Sequence, residues 1–298
     1  MVYTKNTQMG VLLLILTRLV YIECMLQVIK IGGSVITDKS DTSPKVNYDR
    51  LRDLLLEVQE YIDNSDDSVI LIHGAGAYGH GTAGKYKLQY GATTEEKVHA
   101  AEMCQQQVSE LHNIFIQTAA VVGLPVDSVP THTVLMHDKG TVTVFDTSPV
   151  MCALDRGSIP VLYGDVVPDD TWTYSICSGD TIAAQLAVTA QAERLIFASD
   201  IDGVCTANPH TDSTATLIRE VSITDIMNGN IQGVSTAHTT DVTGGLLGKL
   251  NSFAHIMKTS KLQEVVLCNG TKKDRLGSTL RGELTECTKV TRPRTTQG

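Results

Sequence analysis

Five short apolar runs recur along the chain: Gln27–Ile31, Ser68–Ile72, Ile159–Tyr163, Arg194–Ser199 and Glu264–Cys268. Each stops at glycine, an acid or a small polar turn, and each reads as a buried strand. Between them lie stretches with apolar residues at helical spacing. One runs over 48–63 behind Asn47 as N-cap, and a longer one runs from Thr94 to about Val122, ended by Gly123-Leu124-Pro125. Shorter helices are predicted over about 148–155, from Thr181 to about Gln191, and from the Lys249 region to about Lys258. Residues 125–145 read as short strands and turns, and 166–176 as a hairpin around Pro168-Asp169-Asp170. From about Thr288 the chain is polar and is predicted to fray. Strand alternates with helix throughout, which predicts an α/β fold: a three-layer αβα sandwich with a largely parallel central sheet.

One turn carries more chemistry than the others. His73-Gly74-Ala75-Gly76-Ala77-Tyr78-Gly79-His80-Gly81 packs four glycines and two histidines into nine residues directly after a strand. Glycine lets backbone N–H groups face a ligand unobstructed, so the stretch reads as an anion-binding loop, with His80 adding a side-chain donor. Gly74-x-Gly76-x-x-Gly79 also fits the dinucleotide fingerprint, but it follows the second strand, and His80 would crowd a pyrophosphate there. Gly244-Gly-Leu-Leu-Gly-Lys249 has the wrong spacing for a Walker A loop and lacks the following Ser or Thr. Lys30 lies inside an apolar strand, where an unpaired ammonium is costly, so it should have an anionic partner. His73, His99 and His112 read as packing or surface residues.

Charge and cysteine usage narrow the function classes. The net charge of −9 argues against a nucleic-acid surface and requires any anion site to be locally positive. Seven scattered cysteines without a C-x-x-C pair fit a reducing cytosol and give no zinc signal. The apolar stretch 9–22 is short for a membrane span and is interrupted by Arg18, and Ile22-Glu23-Cys24 is not a signal-cleavage site. Residues 1–24 therefore read as an extension outside the fold, with Met25 a candidate true start and a weak membrane anchor the alternative.

Glycine turns at 32–33, 74–76, 179 and 244–245, lysines 30, 39 and 249, and acids at 180 and 200–202 form an inventory suited to phosphoryl transfer. Backbone N–H groups hold phosphate oxygens, and cations neutralise the moving charge. The segments Lys30-Ile-Gly-Gly-Ser34, Gly164-Asp165-Val-Val167, Ser178-Gly-Asp180, Asp200-Ile-Asp-Gly-Val204 and Asp241-Val-Thr-Gly-Gly245 with Lys249 resemble the amino acid kinase superfamily in order and spacing. Within it, Ile31–Lys39 and His73–His80 are similar to the isopentenyl phosphate kinases.

That resemblance implies one continuous kinase domain over 25–298, with an acceptor-phosphate lobe at 25–165 and a nucleotide lobe at 166–298. It implies ATP and Mg²⁺ as cofactors, isopentenyl phosphate as substrate, a homodimer, a cytoplasmic location, and no nucleic-acid or membrane partner. Lys30, Gly32, Gly33 and Ser34 would hold the β- and γ-phosphates of ATP. Lys39 would follow the transferred group, Lys249 and Gly245 would reach the phosphates from the other lobe, and Asp180 would orient the lysines. Asp200 would sit near the nucleoside. Ala75, Gly76 and Gly179 would line the meeting phosphates through their backbone, with Gly76 touching both substrates. His80 would bind the acceptor's own phosphate. The resemblance assigns no protein metal ligands. A fosfomycin kinase, another small phosphate or carboxylate kinase of the superfamily, and a non-catalytic nucleotide sensor are the alternatives.

Overall fold

Apolar strands without polar alternation need cover on both faces, and the architecture supplies it. The computed structural model describes residues 24–38, 44–207, 212, 214–231, 243–283 and 286–292, apart from the side chains of 243–249. In chain order the strands are β1 (Leu26–Ile31), β2 (Thr37–Asp38), β3 (Lys45–Val46), β4 (Ser68–His73), β5 (Val126–Ser128), β6 (Leu135–Asp138), β7 (Thr141–Phe145), β8 (Ile159–Tyr163), β9 (Asp165–Asp169), β10 (Thr173–Cys177), β11 (Arg194–Ser199), β12 (Glu220–Ser222), β13 (Glu264–Asn269) and β14 (Thr288–Thr291). The principal helices are α1 (Tyr48–Asp63), α2 (Gly76–Tyr86), α3 (Glu95–Val121), α4 (Ser148–Asp155), α5 (Gly179–Thr189) and α6 (Thr243–Thr259).

The main sheet has the order β12-β14-β13-β11-β1-β4-β8-β5, and all its pairings are parallel except β13 with β14. Val28 is level with Ile70 and Leu195 in the register, and these residues face α5 and α6 through Ile182, Leu186, Phe253 and Met257. Their neighbours Ile29, Leu71 and Ile196 face the other way, onto Leu51, Leu55 and Val58 of α1 and Phe115 of α3. The αβα sandwich expected from the alternation is thus present. From β1 the chain builds outward to β4 and β8 on one side and later to β11 and β13 on the other. Such a switch point opens a crevice at the carboxyl ends of parallel strands.

The helix starts follow local chemistry. Asn47 accepts from the Arg50 N–H at 3.0 Å and Ser178 from the Thr181 N–H at 3.1 Å, each satisfying a donor the helix leaves open. Three expectations are corrected. The glycine loop ends early, because α2 begins at Gly76 and carries His80 in its second turn. The hairpin expected over 166–176 is present as β9 with β10, but it does not stand apart from the short strands of 125–145: with β6 and β7 it makes a separate sheet, β10-β9-β6-β7. Thr288–Thr291 do not fray: as β14 they pair with both β13 and β12, and Val290 is fully buried. Thr288 Oγ1 donates to the Ile218 carbonyl at 2.6 Å and accepts from the Val204 N–H at 2.7 Å. A four-residue segment has too little hydrophobic pattern to announce such tertiary pairing. Among the described residues no helix is long and apolar enough to cross a membrane, and all of the expected extension 1–24 but Cys24 lies outside them.

Val290→Ala is expected to lower unfolding stability by roughly 2 kcal/mol, the range for truncating a buried aliphatic side chain. A urea-denaturation midpoint equal to that of the unaltered protein would mean that β14 adds nothing to the sheet.

Candidate active site

The carboxyl ends of β1, β4, β8 and β11 frame a cavity of about 330 Å³. Its floor begins with Lys30. The Lys30 ammonium lies 2.9 Å from the Asp180 carboxylate, which is the anionic partner its position in an apolar strand demands. Asp180 belongs to the first turn of α5, where the helix dipole favours a negative charge. Gly179 lets that turn press against the strands, since a Cβ there would sit 3.3 Å from the His73 carbonyl and 3.5 Å from Lys30 Cε.

The two glycine turns touch each other. A Cβ on Gly33 would lie 2.2 Å from the Gly76 nitrogen, and one on Gly74 would lie 2.6 Å from the Gly33 nitrogen. Gly76 also has φ of +53°, which favours glycine. Much of the glycine content thus serves backbone packing as well as ligand access. Thr37 ties the turns together, donating to the Gly33 carbonyl at 2.7 Å and accepting from the Ala77 N–H at 2.9 Å. Gly79 is different again: a Cβ would meet Ala75 at 2.7 Å and Val108 at 3.1 Å, so it seats α2 on α3. That packing role accounts for the third glycine of the apparent dinucleotide fingerprint.

Gly32, Gly33, Ser34, Ala75, Gly76, His80, Gly179, Asp180 and Asp200 all line the cavity with Lys30. Lys39 and Asp241 fall outside the described residues; Gly245 and Lys249 lie on α6, and nothing is described of their side chains. The far wall is apolar, formed by Ala83, Cys104, Val108, Val166, Ile176 and Cys177. Burial pushes the Cys104 thiol up to about 11 and the Cys177 thiol up to about 12, so both stay protonated and act as packing groups.

Sequence reasoning gave no role to one charged pair at this wall. The Asp165 side chain is fully buried, and His132 Nδ1 lies 2.7 Å from it. Burial raises the Asp165 carboxyl, and the hydrogen bond to Asp165 raises the His132 imidazole. Asp165 belongs to the Gly164-Asp165-Val-Val167 segment, but nothing near His132 in sequence points to it. Thr37 was missed for the same reason, as its partners lie in two separate turns.

Lysine, bare backbone N–H groups and a helix start around one crevice make a cradle for anionic oxygens, and the apolar wall beside it suits a ligand with a hydrocarbon part. Comparison with known proteins agrees. The family model described as amino acid kinase family matches residues 25–269. The isopentenyl phosphate kinase of Methanocaldococcus jannaschii is 31% identical over 87% of this chain and 96% of its own. That of Methanothermobacter thermautotrophicus is 28% identical over 89% and 98%. A solved isopentenyl phosphate kinase structure superposes with a TM-score of 0.71 at 26% identity, covering 89% of this chain and all of the other. Motif order, sheet order and full-length similarity converge, and the chain belongs to the amino acid kinase family, among its isopentenyl phosphate kinases.

Proposed function

We propose that the chain transfers the γ-phosphoryl group of ATP to isopentenyl phosphate, forming isopentenyl diphosphate. The observation that carries this reading is one cavity lined by Lys30 and the glycine turns, by apolar side chains, and by His80. Its relatives named isopentenyl phosphate kinase support the same acceptor. A carboxylate or carbamate acceptor would leave both the second phosphate donor and the hydrocarbon wall without a purpose.

In this mechanism the chain works by positioning and charge neutralisation. Two polyanions must meet in line at about 3–3.5 Å, and each fixed donor lowers their repulsion. Lys30, held straight by Asp180, lies under the transferred group. The N–H groups of Gly33 and Ser34 take the nucleotide phosphates, Gly32 borders them while its own N–H is held by the Ala198 carbonyl at 2.7 Å, and Lys39, Gly245 and Lys249 complete their shell. Ala75, Gly76 and Gly179 take oxygens on both sides of the transfer, and His80 takes the acceptor's own phosphate. Asp200 borders the nucleoside. Mg²⁺ would ride on the ATP phosphates, since it keeps several waters and needs only one or two protein carboxylates. Asp200 would be the cavity carboxylate nearest to hand for it, Asp165 being paired with His132 and Asp180 with Lys30. When bound, the ion withdraws charge from the phosphate oxygens. The division into an acceptor lobe at 25–165 and a nucleotide lobe at 166–298 belongs to this reading, as does a cytoplasmic homodimer.

With ATP and Mg²⁺, ADP release is expected to be far faster with isopentenyl phosphate than with fosfomycin, uridylate or acetylglutamate; a faster rate with fosfomycin would reassign the acceptor. No turnover with any of them would favour a nucleotide sensor. His80→Ala should raise the acceptor KM on the order of 10–100-fold, the loss of a hydrogen bond to a charged group, with little change in the KM for ATP. Equal shifts in both constants would make His80 a structural residue. Lys30→Ala should cost roughly 10²–10³ in kcat at saturating substrates, as for a lost transition-state donor. An unaltered kcat would remove Lys30 from the reacting centre.

A further inference from the structure

Beneath the acceptor turn lie two buried imidazoles that the mechanism above does not use. His73 ends β4 and His112 lies on α3; both are buried, and they stack with Phe115 and Tyr163 at ring separations of 4.2–5.4 Å. His73 Nδ1 is 3.1 Å from the Gly74 carbonyl, His73 Nε2 is 3.1 Å from His112 Nδ1, and His112 Nε2 is 2.7 Å from the Ser128 hydroxyl.

The proton positions in this row follow by elimination. A carbonyl only accepts, so His73 Nδ1 carries the hydrogen. A neutral imidazole has one N–H, so His73 Nε2 must accept, and His112 Nδ1 must donate to it. His112 Nε2 then accepts in turn, and Ser128 donates. Burial keeps both rings neutral, pushing His73 down to about 4 and His112 down to about 3. The row is therefore polarised one way, from Ser128 at the surface to Gly74 at the cavity.

Its end point matters because C=O and N–H of one trans peptide point in opposite directions. Drawing the Gly74 oxygen toward the buried His73 ring turns the Ala75 N–H of the same plane away from that ring. Ala75 lines the cavity, and α2 begins just after it, where helix N–H groups have no partners of their own. We propose that His73 and His112 are positioning residues for the transfer: their fixed tautomers hold the Gly74 carbonyl down and thereby aim the Ala75 N–H at the acceptor phosphate. The inference rests on the reading that the turn 74–76 receives that phosphate. Packing alone would need only the ring stack, which a phenylalanine at 112 would satisfy.

Nitrogen-15 NMR of the histidine-labelled, unaltered enzyme at neutral pH reads the tautomers directly, with His112→Gln spectra for assignment. Both rings are expected as Nδ1–H, the minor form of free imidazole in water, and Nε2–H on either would overturn the proposal. His112→Phe keeps the stack and deletes the donor. It should raise the acceptor KM about tenfold, the worth of one buried hydrogen bond, while the KM for ATP stays within about twofold. His112→Gln, whose amide can donate to His73 and accept from Ser128, should restore the acceptor KM to within about threefold of the unaltered enzyme. Equal shifts in both constants with phenylalanine, or no rescue by glutamine, would make the pair merely structural. The NMR result decides the matter if the phenylalanine variant does not fold. An unmoved acceptor KM in His80→Ala would sink the phosphate reading itself; a shifted one beside an unmoved His112→Phe would sink only the positioning role.

Discussion

The structure depends on one contact between two lengths of bare backbone. The turns after β1 and β4 approach so closely that a methyl group on Gly33 or Gly74 would overlap main-chain atoms of the other turn. Bare backbone there lets donors from two strands lie side by side, where any side chain would hold the strand ends apart. Thr37 fixes the pair with one hydroxyl that donates to one turn and accepts from the other. Lys30, Asp180 and the start of α5 are then arranged against this double turn, with Gly164 and Gly179 repeating the same close approach one strand further on.

Much of this was legible in the sequence. Continuous apolar runs gave the central strands, because burial on both faces leaves no room for polar alternation. The partner of Lys30 was foreseeable as a class, since an ammonium in such a strand requires an anion, and Asp180 supplies it. The glycines were legible as important but not in their division of labour: ligand access, turn-to-turn contact and helix packing all select the same residue. Thr37, His132 and the histidine row were hidden because each is defined by partners distant in sequence, and short polar side chains carry no periodicity that announces them. The strand at Thr288–Thr291 was misread because its pairing is wholly tertiary.

An acidic chain that handles polyanions must keep its positive character local. Among the described residues it does so with Lys30, locked by a carboxylate, and with backbone N–H groups whose partial charges are fixed in direction. The apolar wall meets the opposite problem in Asp165, a carboxylate out of water, and answers it with His132 at hydrogen-bond distance. Each buried charge near the cavity is thus settled by a neighbour before any ligand arrives.

The order of the main sheet also constrains how the chain assembles. β12 has β14 as its sheet neighbour, and Val221 pairs with Val290 across that ladder, while β14 leans on β13 on its other side. On an emerging polypeptide, residues 220–222 therefore lie idle until 288–291 arrive, whereas β1, β4 and β8 have their partners early. Long-range ladders of this kind close late because the intervening loop entropy is lost before the contact is gained. The side of the cavity built by β1, β4 and β8 is thus suited to form first, with the far edge of the sheet locking in afterwards.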